Sequence, residues 1–186
     1  MIIENILSIS NQKLNQIDTS FINNYELYHN TYYFNGESGK EHYRLLMHIS
    51  SLYLNQILFD VGTNKCMSAL ALSYNQFNKI KTFDIVKILP ENPKKTNIEY
   101  ILGDSIKDSD IKNTPFIFLD VNHDGIYENI IYDFLKSINW KGILMLDDIH
   151  LNDEMKKFWN SIEYIKYDIT NIGHWSGTGI VEFGKH

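Results

Sequence analysis

Two short apolar runs stop abruptly at acid: Phe116-Ile117-Phe118-Leu119 at Asp120, and Gly142-Ile143-Leu144-Met145-Leu146 at Asp147-Asp148. Runs of this length, apolar at every position, suit strands buried on both faces of a parallel sheet. If they are neighbours, Asp120, Asp147 and Asp148 emerge together at the carboxyl edge of that sheet, where open α/β sheets bind ligands. Three carboxylates at one point repel one another unless something positive lies among them. A divalent cation such as Mg²⁺, which prefers hard oxygen ligands, meets that need.

The rest of the chain repeats the theme. Buried strands are expected over residues 56–61, 79–84, 98–102, 116–121 and 142–146, with two more at 162–169 and 179–183. Helical spacing is expected over 66–74, 127–138 and 152–160. A further helix is expected to lead into the first strand, opened by the capping-box spacing Ser38-Gly39-Lys40-Glu41 and carrying Tyr43, Leu46, Met47, Ile49 and Leu54. Strand and helix alternate until the last two strands. This pattern implies an α/β fold: a right-handed, mainly parallel seven-stranded sheet, helices on both faces, and an antiparallel last strand closing a terminal hairpin.

Residues 1–37 read as an N-terminal cap for substrate or a dimer contact, and 38–186 as one catalytic-type domain. The cap crowds Tyr28, His29, Tyr32 and Tyr33 ahead of Gly36. An aromatic run of this kind serves either as a lid over substrate, Tyr32 included, or as an interface in a homodimer.

Composition narrows the partners. The net charge is −6 over 186 residues, and no run of five basic residues occurs, so neither nucleic acid nor an anionic membrane is an expected partner. One cysteine, Cys66, excludes an intramolecular disulfide and a thiolate zinc cage. No apolar stretch approaches the roughly 20 residues needed to span a bilayer, and the amino terminus lacks a basic, then apolar, leader pattern. A soluble, cytoplasmic protein is expected.

Asp60-Val61-Gly62-Thr63-Asn64-Lys65-Cys66-Met67-Ser68 joins the first strand to the first following helix. A Rossmann-like sheet holds a nucleotide at this turn. Gly62 would allow close backbone approach to a ligand, while free amides and Ser68 would receive a carboxylate; a purely structural turn is the alternative. Asp84 closes the second strand about twenty residues on, where an acid accepts ribose hydroxyls, or else caps a helix. Asp104-Ser105 follows the third strand and suits an adenine edge.

Together, Asp60-x-Gly62-Thr63-x-x-x-x-Ser68, Asp84, Gly103-Asp104-Ser105, Leu119-Asp120-Val121-Asn122-His123 and Leu146-Asp147-Asp148 resemble a class I S-adenosylmethionine-dependent methyltransferase. The likeness is greatest to the divalent-metal-dependent O-methyltransferases of the catechol and caffeoyl-CoA type and of the sugar-modifying macrocin type. It covers roughly residues 38–183. The resemblance implies S-adenosylmethionine held by Asp60, Gly62, Thr63, Ser68, Asp84, Asp104, Ser105 and Asp120. It also implies a cation, Mg²⁺ by preference, on Asp120, Asp147 and Asp148. The family usually has a second glycine where Cys66 stands, a neutral residue at Lys65, and Asp-Asn where this chain has Asp147-Asp148.

Methyl transfer from a sulfonium to an alcohol needs an oxygen nucleophile, hence a base. His123 stands three residues after Asp120, where the related enzymes carry a lysine or histidine base, and its ordinary pKa near 6.5 suits the task. The alternative is a loop histidine bonded to Asp124. Asp148 follows Asp147 directly, and on an extended chain adjacent side chains point to opposite faces. His150 has the wrong offset for a role and is read as the start of the next helix. Gly173-His174-Trp175-Ser176-Gly177 joins the last two strands. His174 and Trp175 there line an acceptor pocket or form a glycine-rich hairpin with a packed indole. The expected acceptor is a sugar hydroxyl, then a small phenol. Two rival classes are a cofactor-binding or assembly protein without turnover and a nicotinamide-dependent oxidoreductase. The second lacks its three-glycine fingerprint.

Overall fold

Alternation along the strands builds two apolar layers with the sheet between them. In the computed structural model, which describes residues 2–25, 34, 36–88 and 93–184, one sheet contains β1 (Ile57–Val61), β2 (Lys79–Asp84), β3 (Ile98–Leu102), β4 (Phe116–Leu119), β5 (Gly142–Asp147), β6 (Ile165–Asp168) and β7 (Thr178–Phe183). Its order is β3-β2-β1-β4-β5-β7-β6, with β7 antiparallel to both neighbours and the other pairs parallel. The expected fold class is therefore the observed one. β4 sends Phe116 and Phe118 into one layer and Ile117 and Leu119 into the other; β5 divides Ile143 and Met145 from Leu144 and Leu146 in the same way.

The helices divide between these layers. α1 (Ile2–Ser8), α2 (Asn11–Leu14), α3 (Tyr43–Ser51) and α4 (Met67–Leu72) contribute Ile3, Ile6, Leu14, Leu45, Leu46, Met47, Leu70 and Leu72 to the first. α5 (Ile126–Ser137) and α6 (Asp153–Ser161) contribute Ile131, Leu135, Met155, Phe158 and Trp159 to the second. The N-terminal segment thus shares the main core. Polar ties reinforce it: Asn11 donates to the Asn171 carbonyl at 2.8 Å and Arg44 to the Asn15 carbonyl at 2.5 Å.

Three local expectations differ from the structure. Ser38 does not cap a helix: its amide and hydroxyl both donate to Asn15 Oδ1, at 2.9 and 2.8 Å, and α3 begins only at Tyr43. Glu41, freed from capping, turns toward His174. Strand and helix also fail to alternate after β2: among the described residues no helix lies between β2 and β3, and two 3₁₀ turns, Ser105–Lys107 and Ser109–Lys112, stand between β3 and β4. Asp104 and Asp108 accept amides of their own turns, from Ile106 and Asp110, so each turn is satisfied locally. Finally, β6 starts at Ile165, three residues late, because Ile162 still closes α6.

Register sets up the site. Asp60 pairs across the sheet with Thr82 and Phe118, while Leu119 pairs with both Val61 and Leu146. Asp120 and Asp147 each follow those paired leucines. The strand order reverses between β1 and β4, the place where such sheets open a crevice for ligands.

Candidate functional site

Gly62 is the point on which the edge turns. Its φ is +108°, and a Cβ there would lie 1.6 Å from the Asp120 carbonyl oxygen. Only glycine fits. The close approach is to β4 rather than to a ligand, so this glycine brings the first turn and Asp120 together. The turn's amides are not free as expected: Gly62 and Thr63 both donate to the Phe83 carbonyl, at 2.9 and 3.0 Å, and Asn64 to Asp84 Oδ2 at 2.9 Å. Cys66, where the resemblance expects glycine, is buried with φ +66° and precedes α4 directly. The left-handed conformation costs a non-glycine residue about 1–2 kcal/mol. Lys65 is exposed.

Asp60 is fully buried. Thr82 Oγ1 donates to its Oδ2 at 2.5 Å, while its Oδ1 has no hydrogen-bond partner. Burial pushes its pKa up to about 7, against the pull of Thr82 and Ser68. Asp84 accepts the amides of Asn64 and Val86, and Asp104 accepts Tyr127 Oη at 2.5 Å. Gly62, Asp84, Ser105, Asp120, His123 and Tyr127 border a cavity of about 390 Å³ whose apolar side includes Val86 and Ile88. Thr63, Ser68, Glu41, Tyr43, His174 and Trp175 border a second, of about 420 Å³, which Gly62 and Asp120 also line. Asp120 is therefore the carboxylate common to both. Tyr32, with Tyr28, His29 and Tyr33, lies outside the described residues.

Histidines lie among the carboxylates. His123 Nε2 is 3.3 Å from Asp120 Oδ1 and 3.3 Å from Asp148 Oδ2. His174 Nδ1 is 3.2 Å from Asp147 Oδ1 and 3.4 Å from Asp148 Oδ1, and its Nε2 is 3.7 Å from Glu41 Oε2. His42, only 2% exposed, sets Nδ1 3.5 Å from Asp147 Oδ1. Asp148 does not follow the alternation of an extended strand. Its φ of +59° swings the side chain inward, where Ser176 donates to it. His150 is not the start of a helix but pairs with Asp168 at 2.7 Å, away from this group, and Asn152 caps α6.

Electrostatics follow from this packing. Burial pushes Asp147 upward, yet His42 and His174 outweigh it and hold the carboxyl well below its ordinary range. Burial disfavours the charged form of His174, but Asp147, Asp148 and Glu41 raise its pKa to about 10. His123 is raised in the same way by Asp120 and Asp148. Asp120 is raised, mainly by burial. Glu128, buried in the first turn of α5, fixes the loop by accepting the His123 amide at 3.0 Å, and Asn152 donates to the His123 carbonyl at 2.7 Å. These contacts hold His123 at φ +56°.

The carboxylates Asp120, Asp147 and Asp148 expected to hold magnesium are not in all-oxygen surroundings. Each of the three carboxylates already faces an imidazole nitrogen. Among the described residues, the one trio of donors whose ligand atoms all lie within 4.8 Å of one another is His42, Asp147 and His174. Sequence reasoning misses His42, Glu41, Glu128 and Ser176. Three of these precede or open helices, Glu41 being legible only as part of a capping-box spacing, so only the packing of α3 and α5 on the sheet reveals their place.

No protein-family model matches the sequence, and no curated protein matches it. Solved structures do. A methyltransferase of Podospora anserina, PaMTH1, in a structure with bound S-adenosylhomocysteine, aligns over 76% of this chain and 79% of its own with TM-score 0.51 and 14% identity. A Staphylococcus aureus protein provisionally assigned as a caffeoyl-CoA O-methyltransferase aligns over 96% and 94%, with TM-score 0.54 and 11% identity. Cofactor-bound Rv0187 from MTB aligns over 100% and 90%, with TM-score 0.55 and 7% identity. Among the described residues, no helix is long and apolar enough to cross a membrane. Strand order, antiparallel β7 and these likenesses agree: the chain has the fold of the class I S-adenosylmethionine-dependent methyltransferases.

Proposed function

We propose that the chain is an S-adenosylmethionine-dependent methyltransferase acting on a hydroxyl of a sugar or other small molecule. The observation that carries this reading is the position of Asp120 on both cavities, with His123 beside it. Cavities of this size suit small ligands. A donor nucleoside in the first would meet Asp84, Ser105 and Tyr127, and an acceptor in the second would meet Tyr43, His174 and the exposed face of Trp175. The Podospora structure, with its bound S-adenosylhomocysteine, supports the choice of cofactor class.

In the proposed step the acceptor hydroxyl gives its proton to neutral His123 as its oxygen forms a bond to the methyl carbon. The carbon–sulfur bond breaks, its electron pair stays on sulfur, and S-adenosylhomocysteine leaves. Asp120 and Asp148 stabilise the imidazolium that forms. The same carboxylates hold His123 protonated above its ordinary pKa, so turnover should rise with pH through a midpoint above 6.5.

Transfer of labelled methyl from S-adenosylmethionine to a panel of sugars and phenols tests the reading. His123→Ala is expected to lower kcat by about 10²–10⁴-fold while leaving S-adenosylhomocysteine affinity within about threefold. Failure of millimolar cofactor to bind in calorimetry would refute it. A second reading, cofactor binding without turnover, is favoured by the amides of Gly62 and Thr63 being spent on Phe83 and by left-handed Cys66. Binding with no transfer to any acceptor would select it.

A further inference from the structure

We infer that His42, Asp147 and His174 form a binding site for a divalent first-row transition-metal ion of the zinc or cobalt class, not for magnesium. Three observations lead there.

The donors are already at ligand spacing. His42 Nδ1 and His174 Nδ1 lie 3.5 and 3.2 Å from the same Asp147 oxygen. Four ligands on bonds of about 2.0–2.1 Å around a tetrahedral ion stand about 3.3 Å apart. Both measured edges bracket that value. The whole trio falls within 4.8 Å, so the third edge exceeds that of a tetrahedral face by about 1.5 Å at most.

His42 is the independent observation. It is 2% exposed, and neither ring nitrogen has a hydrogen-bond partner. Burying an imidazole whose Nε2 meets no partner and whose Nδ1 meets only the Asp147 carboxylate, at 3.5 Å, is costly, and a metal between Nδ1 and Asp147 would bond both. Aromatic packing holds the ring in place, with Phe118 at 4.9 Å and Tyr43 at 4.7 Å between centroids.

The surroundings resemble the outer shell of a metal centre. Glu41 lies 3.7 Å from His174 Nε2, close enough to orient the ring, and a metal taking Nδ1 would displace the proton that Nδ1 now shares with Asp147 and Ser176. Ser176 hydrogen-bonds Asp148, whose Oδ1 stands 3.4 Å from His174 Nδ1 as a neighbouring oxygen donor. His174 also borders the cavity of about 420 Å³, which leaves an open position for water or an acceptor oxygen. Two imidazoles and one carboxylate suit zinc, cobalt or iron; magnesium prefers oxygen and keeps its waters. The site joins the start of α3, the end of β5 and the β6–β7 loop. It stands whether or not the chain transfers methyl groups.

The experiment uses the full chain after chelator treatment, with Zn²⁺, Co²⁺ and Mg²⁺ added separately. Calorimetry and thermal melting report binding, and the visible spectrum of Co²⁺ reports its ligands. Expected are one equivalent of Zn²⁺ or Co²⁺ bound, a raised Tm, and a cobalt spectrum of a four- or five-coordinate nitrogen–oxygen site. Mg²⁺ at millimolar concentration should leave Tm unchanged. His174→Asn and His42→Asn should each weaken binding by at least about 100-fold, more than loss of a supporting partner costs. His123→Asn should leave it within about threefold. If His42→Asn does not fold, as circular dichroism would reveal, His174→Asn in the β6–β7 loop decides. Absence of any Tm or spectral response to Zn²⁺ and Co²⁺ would overturn the inference, as would Mg²⁺ binding that survives both histidine changes. Equal loss in His123→Asn would place the metal elsewhere and overturn it too. Because cofactor binding is measured separately, failure here leaves the methyltransferase reading standing.

Discussion

The carboxyl edge of the sheet has two halves that solve the same problem differently. At the ends of β1, β2 and β3, Asp60, Asp84 and Asp104 are held by near neighbours: Thr82, the amides of Asn64 and Val86, and Tyr127. At the ends of β4 and β5, Asp120, Asp147 and Asp148 are held by three imidazoles drawn from residues 42, 123 and 174. The first half uses carboxylates as hydrogen-bond acceptors, and of the three only Asp84 borders the cavity of about 390 Å³. The second half concentrates charge. A fold of this kind can therefore keep one half of its edge fixed by local contacts while the other is remade by helices and loops that arrive from elsewhere in the chain.

The joint between the halves is the most vulnerable place. Gly62→Ala would put a methyl group into the Asp120 carbonyl at a φ that alanine resists. A loss of about 3 kcal/mol or more is expected, from steric overlap and backbone strain together. Urea unfolding measures it, and a loss below about 1 kcal/mol would mean that β1 and β4 are not joined this way.

Asp60 offers a pH test confined to the first half. Its folded pKa of about 7 lies above its ordinary value of 3.8. The folded chain thus holds a proton that the unfolded chain releases, and stability falls as pH climbs from about 4 to about 7, then levels. Asp60→Asn removes the titration. The stability difference between the two proteins should change by a few kcal/mol at most across that window, because each pH unit separating the folded and unfolded pKa contributes about 1.4 kcal/mol. A difference independent of pH would show that Asp60 is not desolvated.

Glu128 gives the smallest effect in the second half. Glu128→Ala removes the acceptor of the His123 amide, costing about 1–2 kcal/mol of stability. It should lower kcat more than it raises KM, because the loop that carries the proposed base, His123, loosens. Glu128→Gln keeps an acceptor oxygen and should restore most of the rate. Equal loss in both variants would assign Glu128 a role beyond positioning.

Legibility in the sequence follows the same division. Strands β4 and β5 announce themselves because strands covered on both faces favour unbroken apolar runs, and Asp120 and Asp147 stand out at their ends; β2 and β3 carry Lys79, Lys81, Thr82 and Glu99 and are legible from their short length and flanking turns instead. Gly62 is legible as special, though its partner, the Asp120 carbonyl, is not. His42 is invisible: it sits just before an ordinary amphipathic helix, and only the docking of α3 beside β5 gives it Asp147 as a neighbour. Asp148 is misdirected when strand alternation is carried one residue past the strand, where a left-handed φ breaks it. The 3₁₀ turns after β3 are hidden for a similar reason. Asp104 and Asp108 open each turn and cap it locally, and no periodicity records that.

The most direct measurement sets one half against the other. Calorimetric titration of S-adenosylhomocysteine into wild type, Asp84→Asn and Asp147→Asn should show binding to the wild type, a loss of at least about tenfold in Asp84→Asn from the missing ribose acceptor, and affinity within about threefold of wild type in Asp147→Asn. Equal losses in the two variants, or no binding to the wild type, would contradict a donor pocket built on β1 to β3 with its acceptor machinery on β4 and β5.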